Sequence, residues 1–178
     1  MSATSEGTTA VQKRKEAASR RAQQLAERIE EGAANLAAFA EGLSDAEWGT
    51  PVSATDRRTV GVIVHHVANM YPIEIDVARA VASGKTVMDV PWEAVAEINA
   101  KHAQENGTVT KATALDLLKR NSAQAAAAVR TLTDEELDRA APFSLSYGAP
   151  MTAQFVIEDH ALRHSWHHFA RIRKALGR

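Results

Sequence analysis

Cysteine is absent from the 178 residues of this chain. Its absence excludes disulfides, thiolate metal ligands and a cysteine nucleophile, so any thiol chemistry would need a thiol from outside the chain. Long apolar runs are also missing, so no segment is expected to span a membrane. The polar N-terminus lacks the apolar core of a secretory signal. Together these absences predict a cytoplasmic protein with no membrane partner.

Aromatic residues are few, at 5% of the chain, and the formal net charge is only -1. A nucleic-acid-binding protein usually has a basic face and a high isoelectric point, so we expect no nucleic-acid partner. Apolar residues make up 45% of the chain, which is ordinary for a globular domain. Abundant alanine and short β-branched runs favour helix over strand.

Helical spacing of apolar residues organises most of the chain. We predict helices over about 11–42, 59–83, 91–106, 110–131 and 152–176, short capped turns at Ser44 and Thr133, and a strand-like stretch "APFSLSYGAP". Residues 1–10 are expected to be disordered and residues 11–178 to form a single domain. The long helices and their connections predict an all-α fold, an antiparallel four-helix bundle.

Histidine is concentrated in the segment "EDHALRHSWHHFARIRKAL". Four of the seven histidines lie there within nine residues: His160, His164, His167 and His168. At about 100° per residue, His164 and His168 fall at the edge of the apolar sector of the last helix, and the other two fall near its polar side. The same geometry places His66 on the apolar face of the second helix and His65 towards water. We therefore expect His66, His164 and His168 to face the bundle interior.

Inward histidines on two helices indicate a metal site. Side chains four apart on a helix have Cβ atoms about 5–6 Å apart, so His164 and His168 can converge on one ion. A third imidazole, His66, would complete one face of the coordination sphere. Three neutral imidazoles suit Zn, Ni or Fe and leave positions open for water or substrate. The alternative is a hydrogen-bonded core histidine at His66 and a solvated helix end that complements the helix dipole.

Two motifs resemble those of the DinB-like superfamily. "TVGVIVHHVANM" is similar to its second-helix motif, in which an inward histidine follows the initial Ser or Thr by seven residues, here Thr59 and His66. "HSWHHFARI" is similar to its last-helix motif, His-x-x-x-His followed by Arg-Gly-Gln-Ile, which aligns His164 and His168. Arg171 replaces the usual Gln and is a candidate contact for a cofactor. The resemblance implies a four-helix bundle, a divalent metal held by three histidines and often a homodimer.

The family resemblance also implies a range of activities. Some members are similar to thiol S-transferases or isomerases that use a low-molecular-weight thiol such as mycothiol or bacillithiol, and others to metal-dependent hydrolases. We therefore expect a metal-dependent enzyme with a small-molecule substrate, thiol-dependent in the first instance. The alternatives are a metal-dependent hydrolase, a non-catalytic small-molecule binding or stress-response protein, and a purely structural metal.

Four further side chains are candidates for the site. Glu74, eight residues after His66, falls near the same helix face and could orient an imidazole or act as a general base, or lie at the surface. Asn99 and His102 on the third helix are candidate substrate or cofactor contacts. Tyr147, in the loop before the last helix, is a candidate catalytic hydroxyl, because loops often carry specificity.

Overall fold

The computed structural model of the chain describes residues 19–178. Its helices, in chain order, are α1 (Arg20–Glu41), α2 (Asp45–Trp48), α3 (Val60–Ala82), α4 (Trp92–Glu105), α5 (Lys111–Arg130), α6 (Asp134–Asp138), α7 (Ala153–Val156) and α8 (Arg163–Ala175). A π-helix, Ile157–Leu162, joins α7 to α8, and a 3-10 turn spans Ser144–Ser146. Strands β1 (Ala140–Pro142) and β2 (Pro150–Thr152) form an antiparallel hairpin in the predicted strand-like stretch. The predicted disorder of 1–10 and the predicted helix start at 11 lie outside the described residues.

Four helical units form a bundle, which confirms the predicted all-α four-helix fold. Helix α5 packs along both α1 and α3, and the C-terminal unit (α7, the π-helix and α8) also contacts both. Helices α1 and α3 therefore lie diagonally across the bundle. Helix α4 lies outside it, against α3. Within residues 19–178, no helix is both long and apolar enough to cross a membrane.

The bundle contains neighbours in both relative directions. Arg130, the last residue of α5, pairs with Glu30 of α1, and Lys111 at the start of α5 donates to the carbonyl of Leu43 beyond the end of α1, so these helices are antiparallel. By contrast, Arg21 near the start of α1 hydrogen-bonds Gln154 in α7. Further along the same pair of elements, Gly32 of α1 faces Ser165 and Trp166 of α8. Helix α1 and the C-terminal unit therefore run in the same direction.

Helices α3 and α8 are antiparallel neighbours, and this pairing builds the site. Asp56, just before α3, pairs with Arg171 near the end of α8, and Glu74 in the middle of α3 lies beside His164 near the start of α8. The inward face of α3 around His66 is consequently turned towards the inward face of α8.

Local signals fix where these helices begin. Both predicted capped turns are confirmed as capping boxes, Ser44 with Glu47 and Thr133 with Glu136. The side chain of Thr59 accepts a hydrogen bond from the Val62 backbone and caps α3.

Gly61 permits a close contact at the first turn of α3. A Cβ at this position would lie 2.4 Å from the indole ring of Trp48, well inside van der Waals contact. The indole Nε1 also donates to the Val109 carbonyl at 3.1 Å. Trp48 thus ties the first turn of α3 to the segment that precedes α5, and this turn lies just before His66.

Candidate metal centre

His66 of α3 meets His164 and His168 of α8 where the two helices face each other. One ring nitrogen from each lies within 4.8 Å of the others. The Nε2 atoms of His66 and His164 are 3.1 Å apart. His66 and His168 are almost fully buried, at 4% and 6% exposure. The structure therefore brings together the three histidines that the sequence pattern selected.

The chemistry of this cluster fits a divalent metal. Among residues 19–178, the buried Nδ1 atoms of His66 and His168 have no hydrogen-bond partner. Desolvation by burial lowers the pKa of His66 to about 3, and burial likewise lowers the pKa of His168. Both rings are therefore neutral at pH 7, which is the form that binds metal. Buried imidazoles with so few partners carry an uncompensated desolvation cost that binding of an ion would offset.

Glu74 lies beside Nδ1 of His164, the ring nitrogen that does not face His66. Its Oε1 lies 2.7 Å from Nδ1 of His164, although the approach does not satisfy hydrogen-bond geometry, and the side chain is buried. A carboxylate next to the second ring nitrogen is the usual arrangement for a histidine metal ligand, since it fixes the tautomer and the ring orientation. The alternative of a surface position for Glu74 is excluded by its burial. Of the two functional roles considered from the sequence, orienting an imidazole and acting as a general base, its position supports the first.

A cavity of about 280 Å³ opens beside the three histidines, and Glu74 also lines it. The remaining wall is largely apolar, with side chains from α3, α4 and the hairpin: Ile73, Val77, Trp92, Ile98, Phe143 and Leu145. Small-molecule sites are typically concave, mostly apolar and equipped with a few convergent polar groups. The cavity has this character, with its polar groups concentrated at the histidines.

A second pair of histidines, His65 and His102, lies next to the three-histidine cluster. His65 Nδ1 and His102 Nε2 are 2.8 Å apart, and the ring centroid of His102 is 5.5 Å from that of His66. The expectation that His65 faces water is wrong, because α4 covers this side of α3 and buries it. His102 is close to the cluster but is not part of the cavity wall, so the structure gives it no direct route to a substrate.

The other candidates from the sequence are distributed differently. Asn99 lines the cavity, and its Oδ1 is buried with no partner among the described residues. Tyr147 is 93% exposed at the tip of the hairpin loop, outside the cavity wall, so the structure does not bring it to the site. Arg171 is also outside the wall, and its Nη2 donates to Asp56 at 2.8 Å.

Sequence reasoning did not select His160 or Arg58, and both side chains line the cavity. The helical wheel placed His160 on the polar flank because it assumed a regular α-helix. In the structure His160 lies in the π-helix, whose wider turn changes the register, and its ring packs edge-on against Phe143 at 5.5 Å. Arg58 lies in an irregular segment, where periodicity gives no signal.

We expect the metal-free protein to lose stability as the pH falls below about 6.5. The pKa of His66 in the folded chain is about 3, against 6.5 as its ordinary value, so between these values the unfolded chain binds more protons. The lowered pKa of His168 acts in the same direction. Each such histidine lowers the free energy of unfolding by up to about 1.4 kcal/mol per pH unit. Urea unfolding of chelator-treated protein at several pH values measures this, and a free energy that does not change on acidification would contradict it.

Comparisons with known proteins agree with this structure. A family model described as DinB superfamily matches residues 7–172, which confirms the resemblance seen in the two motifs. In structure, the chain is similar to YfiT from Bacillus subtilis, described as a probable metal-dependent hydrolase with an unusual four-helix bundle topology. The two are 24% identical, with a TM-score of 0.71 over 90% of this chain and 89% of that one, a likeness that shows the fold. No curated protein matches the chain.

Proposed function

Because the chain belongs to the DinB superfamily, we propose that it is a divalent-metal-dependent enzyme acting on a small molecule, with hydrolysis as its reaction. The observation that carries this proposal is the convergence of three histidine nitrogens within 4.8 Å at the wall of an open cavity. The description of YfiT as a probable metal-dependent hydrolase is consistent with it.

Each part of the site has a role in this proposal. His66, His164 and His168 hold the ion, and a three-histidine ligand set leaves positions for water and substrate. A divalent ion bound there supplies Lewis acidity and a water of lowered pKa. Glu74 keeps the ring of His164 in its binding orientation. The apolar side of the cavity receives the substrate body and limits access of bulk water.

Thiol-dependent transfer or isomerisation is the second candidate. The same three histidines would hold the ion, and mycothiol or bacillithiol would supply the thiol as a separate molecule. The absence of cysteine from the chain favours an external thiol over an internal one for any such reaction. We further propose that the protein is a homodimer in the cytoplasm. The alternative to both enzymatic candidates is a non-catalytic protein whose cavity binds a ligand without turnover.

Metal analysis followed by two parallel assays tests the proposal. Untagged protein is purified without chelator or nickel resin, and its metal content is measured by elemental mass spectrometry. Protein loaded with Zn, Ni or Fe is then assayed on p-nitrophenyl esters without thiol, and on an electrophilic acceptor with mycothiol or bacillithiol. We expect ester hydrolysis that needs no thiol and disappears on chelation. Turnover only with thiol would favour the second candidate, and a chain that binds none of these metals would refute both.

A further inference from the structure

Arg58 contributes a fixed positive charge to the cavity wall. It precedes Thr59, the N-cap of α3, and its side chain is 23% exposed. Its Nε and Nη2 atoms donate to the two carboxylate oxygens of Asp56 at 2.9 and 2.7 Å. Such a two-point contact fixes the plane of a guanidinium. Within residues 19–178 we find no hydrogen bond from Nη1, which leaves that nitrogen available to a ligand.

Asp56 is itself held by a second arginine. Arg171 of α8 donates to Asp56 Oδ2 at 2.8 Å, and the carboxylate side chain is only 18% exposed. The hydrogen bonds from Arg58, and then from Arg171, hold the pKa of Asp56 well below its usual range. Asp56 therefore stays ionised and shared between two guanidinium groups. The three side chains together carry one surplus positive charge, and Arg58 is the member that reaches the cavity.

The other charged side chains of the cavity wall already have partners within the wall. Arg163 and Asp159 both line the cavity, but they pair with each other at 2.9 Å and cancel. Glu74 lies against His164. Arg58 lines the same cavity as His66, His164 and His168. The cavity thus has a cation near its histidines and apolar side chains over most of its remaining wall.

We propose that the cavity takes small carboxylates with an apolar body, whose carboxylate binds Arg58 beside the three histidines. The identification of these ligands as substrates rests on the proposed function, whereas their recognition by Arg58 does not require the metal. A single negative charge matches the surplus charge of the Arg58–Asp56–Arg171 cluster, which favours a carboxylate over a doubly charged phosphate. The cavity volume of about 280 Å³ is slightly below the usual range for ligand sites and limits the size of the body.

Calorimetric titration with a matched pair of probes tests this proposal. Phenylpropanoate and its neutral analogue phenylpropanamide share a body and differ in charge. We expect the unmodified chain to bind the carboxylate at least about tenfold more tightly than the amide, since hydrogen bonds to charged groups are worth this much or more. In Arg58→Gln, carboxylate affinity should fall about 10- to 100-fold while amide affinity stays within about twofold. Arg171→Gln should lower the same ratio by a smaller factor, because Arg171 positions Arg58 through Asp56.

Arg57→Gln is the matched control, because this neighbouring arginine is exposed and is not part of the cavity wall. It should leave both affinities unchanged. Equal affinity for the two probes, or an Arg58→Gln variant that retains full carboxylate affinity, would overturn the proposal. Loss of both probes in Arg58→Gln would assign the side chain to loop structure and would overturn it as well.

The titrations are run on chelator-treated and on zinc-loaded protein, so that the two proposals can fail separately. An Arg58-dependent preference for the carboxylate in a chain that takes up none of Zn, Ni or Fe would support carboxylate recognition and refute the proposed metal-dependent function. Metal uptake together with a carboxylate affinity that does not depend on Arg58 would support the metal site and overturn carboxylate recognition.

Discussion

Replacement of His168 by alanine should abolish metal binding, whereas the same replacement at the adjacent His167 should leave it intact. The ring of His168 is buried, and its centroid lies 5.3 Å from the ring centroid of His66 and 4.7 Å from that of His164. His167 lies on the exposed side of the same helix. Loss of one of three ligands should reduce affinity by more than the 10- to 100-fold that typically follows loss of a supporting group. Metal content should fall from about one equivalent to near zero.

Elemental mass spectrometry on the two untagged variants, followed by zinc titration, measures this difference. His167→Ala is a close control because it removes an imidazole from the same histidine-rich stretch. Metal that binds non-specifically to this stretch would be lost to a similar extent in both variants. Equal metal content in the two variants, whether high or low, would contradict the three-histidine site. Thermal unfolding of the chelator-treated proteins separates ligand loss from damage to the core.

The three histidines could be predicted from sequence because they lie in regular α-helix. His66 is in α3, and His164 and His168 are in α8, after the π-helix has ended. A rotation of about 100° per residue therefore describes their directions correctly. The pairing of α3 with α8 could be suggested only by the family motifs, since a helical wheel gives the face of each helix and not its partner.

The errors at His65 and His160 have different physical causes. His65 does point away from the bundle axis, as the wheel indicates, but α4 covers that surface and supplies His102 as a partner. Burial by an element outside the bundle cannot be read from the periodicity of α3. His160 was misplaced because the π-helix breaks the assumed rotation, and no residue in "IEDHAL" marks this break.

The contact of Arg58 with Asp56 is local, but the contribution of Arg171 to this cluster depends on tertiary structure. Arg171 is 115 residues from Asp56 in sequence, and only the antiparallel packing of α3 and α8 brings them together. The parallel arrangement of α1 and the C-terminal unit was likewise not expected from connection lengths alone. Arg171 could be recognised from sequence as a departure from the family motif, but its partner could not.

Replacement of Glu74 by glutamine should weaken zinc binding about 10- to 100-fold, the usual cost of removing the group that orients a histidine ligand. Glutamine keeps the volume of the buried side chain, so packing between α3 and α8 changes little. It loses the negative charge 2.7 Å from His164 Nδ1, which makes His164 a weaker donor to the ion and leaves its ring orientation less well determined. Competition with a chromophoric zinc chelator at constant pH measures the change.

Asp76→Asn is the matched control for this prediction. Asp76 lies two residues further along α3 and is exposed, so the substitution removes a negative charge from the same helix without contact with His164. If proximity to His164 is what matters, Asp76→Asn should leave zinc affinity unchanged. An equal loss in both variants would mean that affinity follows the overall charge of α3. No loss in Glu74→Gln would mean that packing alone orients His164, and the buried carboxylate would then need another role, as the proton acceptor considered from the sequence.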